Sequence, residues 1–80
     1  MGGCVMADRP QFKNGDLIQL QPKYGRIGLY ETMEATVWGG WMFASEIFVV
    51  VDSTEFFVHS IHTASGKQGW CGKTFVQKVE

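Results

Sequence analysis

The sequence lacks a large excess of charge of either sign. Seven lysine and arginine residues stand against eight aspartate and glutamate residues, the net charge of the 80-residue chain is −1, and like charges form no run. Proteins that bind nucleic acids usually concentrate basic residues on one face, because neutralising phosphates dominates their affinity. The composition therefore supports neither a polyanion, nor a membrane surface, nor an acidic substrate as the partner.

Cysteine is scarce, and long apolar runs are absent. Cys4 and Cys71 are the only two cysteines, whereas small secreted domains held by disulfides carry more. We interpret them as free thiols in a reducing cytosol, with one bridge between them as the alternative. Without a Cys-x-x-Cys pair, a structural zinc site is not expected. No apolar run approaches the ~20 residues of a transmembrane helix, and no signal peptide is recognisable, so we predict a cytoplasmic protein without a membrane partner.

What the sequence does contain is the composition of one folded domain. The hydrophobic fraction is 45% and the charged fraction 19%, which is typical of a globular chain rather than a disordered one. A chain of this length makes a single domain. We place this domain at residues 12–80 and predict a flexible tail over residues 1–11, which show no periodicity.

Several short segments show the apolar alternation or β-favouring composition of strands. The predicted strands are 16–20, 27–31, 47–52, 55–63 and 69–74. In the first of them Ile18 and Leu20 share the face that we expect to be buried. Five or six short antiparallel strands at near-regular spacing, with no substantial helix, predict a small all-β barrel or sandwich.

The segment 47–52 is apolar on both faces, which predicts a strand that is covered on both sides. The interior of a barrel takes only one face of each strand. If Ile47, Val49 and Val51 fill it, Phe48 and Val50 need cover from residues 24–43 or from another chain.

Residues 35–43 carry the strongest local signal. Two β-favouring segments flank Gly39 and Gly40, and a Gly-Gly pair supplies the positive φ that both central residues of a tight hairpin turn need. Such a turn would make Trp38 and Trp41 a cross-strand pair, worth roughly 0.2–1 kcal/mol. The alternative is a glycine-rich loop whose two indole rings fold over the core.

A family resemblance follows from the second half of the chain. Two apolar strands are followed by Gly66, then by Gly69-Trp70, and then by Phe75 and an apolar segment. This order resembles the end of bacterial SH3-like domains, and residues 15–18 (Gly-Asp-Leu-Ile) resemble the opening strand of small barrels from phage and bacterial proteins. The resemblance covers about half of the chain and implies an SH3-like barrel. Residues 21–46 lack the segments with which cell-wall and peptide-binding SH3 domains hold their ligands, so it implies a fold and no function.

Candidate catalytic and metal-binding side chains are few. His59 and His62 lie three residues apart on a predicted strand, so they point to opposite faces and cannot chelate one metal ion together. One of them could join Asp52 or Cys71 in a metal site, and Cys71 or Ser60 is a conceivable nucleophile. The simpler interpretation makes Cys71 a small buried apolar side chain. We therefore predict no enzyme, no metal site and no cofactor.

The surplus of aromatic side chains favours binding over catalysis, because tryptophan and tyrosine dominate binding hot spots. The same rings could instead complete a thin core. We predict a non-catalytic module that binds a protein partner or a second copy of itself. The alternatives are a nucleic-acid accessory domain with Lys23, Tyr24, Arg26 and Lys67 along one face and, more remotely, a minimal metal-binding or hydrolytic protein. The candidate contact residues are Tyr24, Arg26, Tyr30, Trp38 and Trp41.

Overall fold

The structure, a computed structural model, describes residues 11–34 and 36–79. They form one curled antiparallel sheet, a half-barrel of seven strands. The strands are β1 (Leu17–Leu20), β2 (Arg26–Tyr30), β3 (Trp38–Phe43), β4 (Phe48–Ser53), β5 (Phe57–His62), β6 (Gln68–Gly72) and β7 (Val76–Lys78). The predicted small all-β barrel without a substantial helix is confirmed, with seven strands rather than five or six. Residues 1–10 of the predicted tail, Cys4 among them, lie outside the described residues.

The chain crosses the sheet in the order β3-β2-β6-β5-β4-β1-β7. The β4–β5 and β5–β6 pairs join neighbours in sequence, whereas β2 pairs with β6, and β1 pairs with both β4 and β7. Single 3₁₀ turns, Pro22–Tyr24 and Lys73–Phe75, precede β2 and β7. None of the described segments is a helix of the length and apolarity that crossing a bilayer requires. The arrangement leaves β3 and β7 as the two edges of the sheet.

The core occupies the inner face of the curled sheet. Ile18 and Leu20 are fully buried, as predicted, while Leu17 is exposed. Burial of these alternating side chains supplies the main driving force for folding. The buried apolar residues are Phe12, Ile18, Leu20, Leu29, Met42, Phe48, Val50, Val58, Cys71 and Val76.

In strand β4 the buried face is the opposite of the one that Ile47, Val49 and Val51 form. Phe48 and Val50 fill the interior, whereas Val51 lies at the surface with 36% of its area exposed. The prediction that this strand is covered on both sides is therefore wrong at Val51. A register shift between Val50 and Asp52 makes Val51 the extra residue opposite β5, and an extra residue of this kind leaves the regular ladder.

The predicted Gly-Gly hairpin is wrong, and so is the alternative of a loop. Residues 38–43 form one continuous edge strand, in which only the second glycine, Gly40, has a positive φ, at 120°. Leu29 pairs with Gly40 and Tyr30 pairs with Trp38, so Gly39 is an inserted residue, a β-bulge. A Cβ atom at Gly39 would lie 3.3 Å from the Leu29 carbonyl oxygen. The two glycines thus bend a strand and do not end one.

Candidate binding face

The outer face of β2 and β3 carries a row of large side chains. Tyr30 pairs with Trp38 and Gly28 pairs with Trp41 across the two strands. Residues three apart on a regular strand point to opposite faces. Because Gly39 adds one residue to the count, Trp38 and Trp41 both lie on the outer face.

Each side chain of this row contacts the next one along the surface. The ring centroids of Trp38 and Trp41 are 4.8 Å apart at 82°, and those of Tyr30 and Trp38 are 5.9 Å apart at 85°. Both are edge-to-face contacts at favourable distances. The guanidinium carbon of Arg26 lies 4.1 Å from the centroid of Trp41, which is a cation–π contact. We call Arg26, Tyr30, Trp38 and Trp41 the aromatic strip.

The strip is exposed to solvent. Trp38 is 50% exposed and Trp41 is 38% exposed, and Phe43, next on the same face of β3, is 40% exposed. None of these three rings belongs to the core cluster, which takes Met42 from the same strand. Strand β3 therefore places Met42 in the core and its three aromatic side chains on the outer face.

The absence of a side chain at Gly28 leaves room for the Trp38 ring. A Cβ atom built on Gly28 would lie 2.8 Å from a ring carbon of Trp38 and 3.3 Å from the ring of Tyr30. The Trp38 ring thus lies across β2 at the one position of that strand that has no side chain. Nothing in the sequence assigned this role to Gly28. The ring that lies over it comes from Trp38, which is not its pairing partner on β3, so the register of the two strands had to be known first.

Of the five sequence-predicted contact residues, Tyr24 alone is separated from the strip. Its ring packs edge-to-face on Phe75 at 5.1 Å, and the Lys23 ammonium lies 5.2 Å from the Tyr24 centroid. Lys67, named for a nucleic-acid face, donates to both Oε1 and Oε2 of Glu46 at 3.0 and 3.1 Å. Its charge is therefore compensated by the Glu46 carboxylate.

A pocket of about 310 Å³ opens beside the strip. Among the described residues, strands β2 and β6 pair only through Tyr30 and Trp70. Sequence patterns gave no sign of the pocket, because its walls come from β2, β5, β6 and the turns beside them. The lining residues are Ile27, Gly28, Tyr30, Thr32, Met33, Phe57, Trp70, Cys71, Gly72 and Phe75.

The candidate nucleophile Cys71 is poorly suited to react. Its side chain is 5% exposed, and burial raises the pKa of the thiol to about 12. The thiol therefore stays protonated at neutral pH, and the protonated form is a weak nucleophile and a weak metal ligand. Ser60 is fully buried, and its hydroxyl has no hydrogen-bond partner among the residues that the structure describes.

The two histidines have separate surroundings. His59 stacks on Trp70 with centroids 4.9 Å apart. The Nδ1 atom of His62 lies 2.7 Å from Ser65 Oγ and 3.8 Å from Glu46 Oε2. A serine–histidine–acid relay needs the serine and the acid on opposite ring nitrogens, and here both face Nδ1. Within residues 11–34 and 36–79, no three metal-ligating side chains come together.

Glu46 links the edge strand to the β5–β6 loop. It accepts a hydrogen bond from the Phe43 N–H at 3.0 Å and the two from Lys67. Partial burial raises the pKa of this carboxyl, but the Phe43 bond and the Lys67 ammonium outweigh it, so the pKa lies below its ordinary value. This contact satisfies one backbone donor at the edge of the sheet.

No family model, curated protein or solved structure matches the chain. The SH3-like resemblance therefore stays a prediction.

Proposed function

We propose that this domain is a non-catalytic protein-interaction module that binds through the aromatic strip. The observation that carries the proposal is the exposure of Trp38 and Trp41 on one face of an edge strand. Both rings already contact neighbours, Tyr30 on one side and Arg26 on the other. Ordered aromatic side chains lose little conformational entropy when they bind, which makes them effective anchors.

The remaining reactive groups support binding rather than catalysis. Cys71 is buried and protonated, and His62 has both of its polar neighbours on one nitrogen. An active site needs a nucleophile or acid–base pair beside a pocket. Cys71 does line the pocket next to the strip. Within the described part of the chain, however, no hydrogen bond joins its thiol to a base. We also propose a cytoplasmic location, which a free buried thiol accommodates.

The proposal is tested by comparing three forms of the full chain as immobilised bait in a lysate of its source cells. The double variant Trp38→Ala/Trp41→Ala removes the anchors. Leu17→Ala is the control, because Leu17 is similarly exposed, at 45%, but lies on β1. We expect proteins that bind the natural chain and the control to be lost from the double variant.

Two results would count against the proposal. The first is an unchanged set of bound proteins on a double variant whose circular dichroism and melting temperature show an intact fold. The second is saturable, salt-dependent binding of short labelled single-stranded oligonucleotides that Arg26→Ala abolishes. That result would favour a nucleic-acid module, which uses aromatic stacking and cationic side chains.

A further inference from the structure

The pocket beside the aromatic strip extends into the core of the sheet. Its lining includes Cys71, which belongs to the buried core cluster, and Ile27, which packs against that cluster. Gly28 on β2 and Gly72 on β6 line it as well and contribute no side chain that could fill it. The pocket is therefore a depression among β2, β5 and β6 with the core at its base, and not a patch on the outer face.

Two aromatic walls of the pocket are positioned by contacts that lie outside it. Trp70 stacks on His59, with ring centroids 4.9 Å apart. Phe75 packs edge-to-face on Tyr24, and a Cβ atom on Gly72 would lie 3.1 Å from the Phe75 ring. Neither His59 nor Tyr24 lines the pocket. Both walls are thus in place before a ligand binds, and a preformed site has less ordering entropy to lose.

The lining offers little to a charged or strongly polar ligand. None of the described residues in it has a charged side chain. The Thr32 hydroxyl is already hydrogen-bonded to the Thr36 hydroxyl at 2.9 Å and accepts the Thr36 N–H at 3.2 Å. The Cys71 thiol is protonated, because burial raises its pKa. An ion that entered this pocket would lose hydration without gaining a counter-charge.

Water is a poor occupant of the same space. An ordered water needs several polar partners, whereas cavities with apolar walls stay dry and accept apolar molecules. The volume of about 310 Å³ corresponds to roughly ten non-hydrogen atoms at ~30 Å³ each. Pockets that hold small molecules begin at about this volume. The size and the chemistry of the walls therefore both favour a small apolar ligand.

Four of the lining side chains are aromatic, namely Tyr30, Phe57, Trp70 and Phe75. Such rings make favourable edge-to-face or offset contacts with a further ring. We propose that this pocket binds a neutral aromatic molecule of one or two rings. The inference goes beyond the proposed function, because a ligand in the pocket does not require a protein on the strip.

Titration of the full, ¹⁵N-labelled chain with indole tests the site by NMR. Indole is neutral and has the size and the aromatic character that the lining selects. The three tryptophans report separately, because Trp70 lines the pocket, whereas Trp38 and Trp41 lie on the strip. We expect the Trp70 indole N–H resonance to shift saturably, with a dissociation constant of about 1 mM or lower. Indole-3-carboxylate, which is charged at neutral pH, should bind roughly tenfold or more weakly.

A carboxylate placed at the pocket supplies the variant. Met33 lines the pocket and is 38% exposed, so Met33→Asp adds a charge to the lining without burying it in the core. Leu17→Asp is the matched control, since Leu17 is 45% exposed and lies on β1, outside the lining. We expect indole binding to weaken roughly fivefold or more in Met33→Asp and to stay unchanged in Leu17→Asp. Melting curves check that both variants are folded.

Three results would overturn the inference. They are the lack of a saturable shift at Trp70, shifts confined to Trp38 and Trp41, and equal indole affinity of Met33→Asp and Leu17→Asp. If Met33→Asp does not fold, the comparison of indole with indole-3-carboxylate decides, and equal affinities reject the site. These outcomes are independent of the proposed function, which is judged by the proteins that Trp38 and Trp41 retain from the lysate.

Discussion

The two edges of the sheet are built in opposite ways. Strand β7 is three residues long, Val76–Lys78, and its outward residues are polar, with Lys78 3.5 Å from Asp16. Strand β3 is twice as long and carries no charged side chain. Short strands and lysines are common means of keeping a sheet edge from associating. At β3 these means are absent, and only the Gly39 bulge and Glu46 limit pairing along the edge.

The contrast between the edges shows where the chain tolerates exposed apolar surface. Val76, the one apolar residue of β7, turns inward and is buried, so that edge strand exposes little apolar surface. Strand β3 buries Met42 and exposes two tryptophans and a phenylalanine. Large contiguous apolar surface on a small domain usually marks a contact site. The comparison therefore supports the proposal that a partner binds at β3 and not at β7.

The largest expected effect separates the two faces of β3. Met42→Ala removes a fully buried side chain from the core and should lower the free energy of unfolding by about 2–5 kcal/mol. Trp38→Ala, which removes a half-exposed ring, should lower it by about 1 kcal/mol or less. Urea denaturation of the two variants measures the difference. Equal losses would show that the strip belongs to the core after all.

A smaller effect concerns the position of the Trp38 ring. Gly28→Ala places a methyl group 2.8 Å from that ring, so the ring must move, at a cost of about 1 kcal/mol or more. In the double variant Gly28→Ala/Trp38→Ala the clash with the indole is gone. We therefore expect a double-mutant cycle of unfolding free energies to show coupling between the two sites. Additive effects would mean that Trp38 does not rest on Gly28.

The smallest effect is a dependence on pH at each edge. The pKa of Glu46 lies below its ordinary value, so its contribution to stability is present above the unfolded pKa of 4.5 and is lost as the pH falls through the folded pKa. Asp16, near β7, behaves likewise, because the Lys13 N–H bond lowers its pKa from 3.8. Glu46→Gln and Asp16→Asn should each flatten the decline of the melting temperature below pH 5. An unchanged acid profile in either variant would contradict the corresponding contact.

Local sequence patterns predicted most of the strands. They could not predict which strands pair or in which register. The alternation at Ile18 and Leu20 was sufficient because one face of a regular strand is simply more apolar. Gly39 and Gly40 misled because the same dipeptide suits a hairpin turn and a bulge, and only the partner strand decides between them. Four of the five predicted contact residues lie in the strip, and their role in binding stays a prediction. Their adjacency, the Gly28 support and the pocket depended on a register that no local pattern contains.

The inserted Gly39 also means that spacing matters as much as residue identity in this segment. Deleting that single residue would leave every tryptophan in the chain, yet it would put Trp38 and Trp41 on opposite faces of β3, because a strand reverses its faces with each one-residue step. Substitutions at the surface of β3 change one side chain at a time, whereas this deletion separates the two rings without changing either of them. We therefore expect deletion of Gly39 to weaken the proposed binding more than most single substitutions on that face.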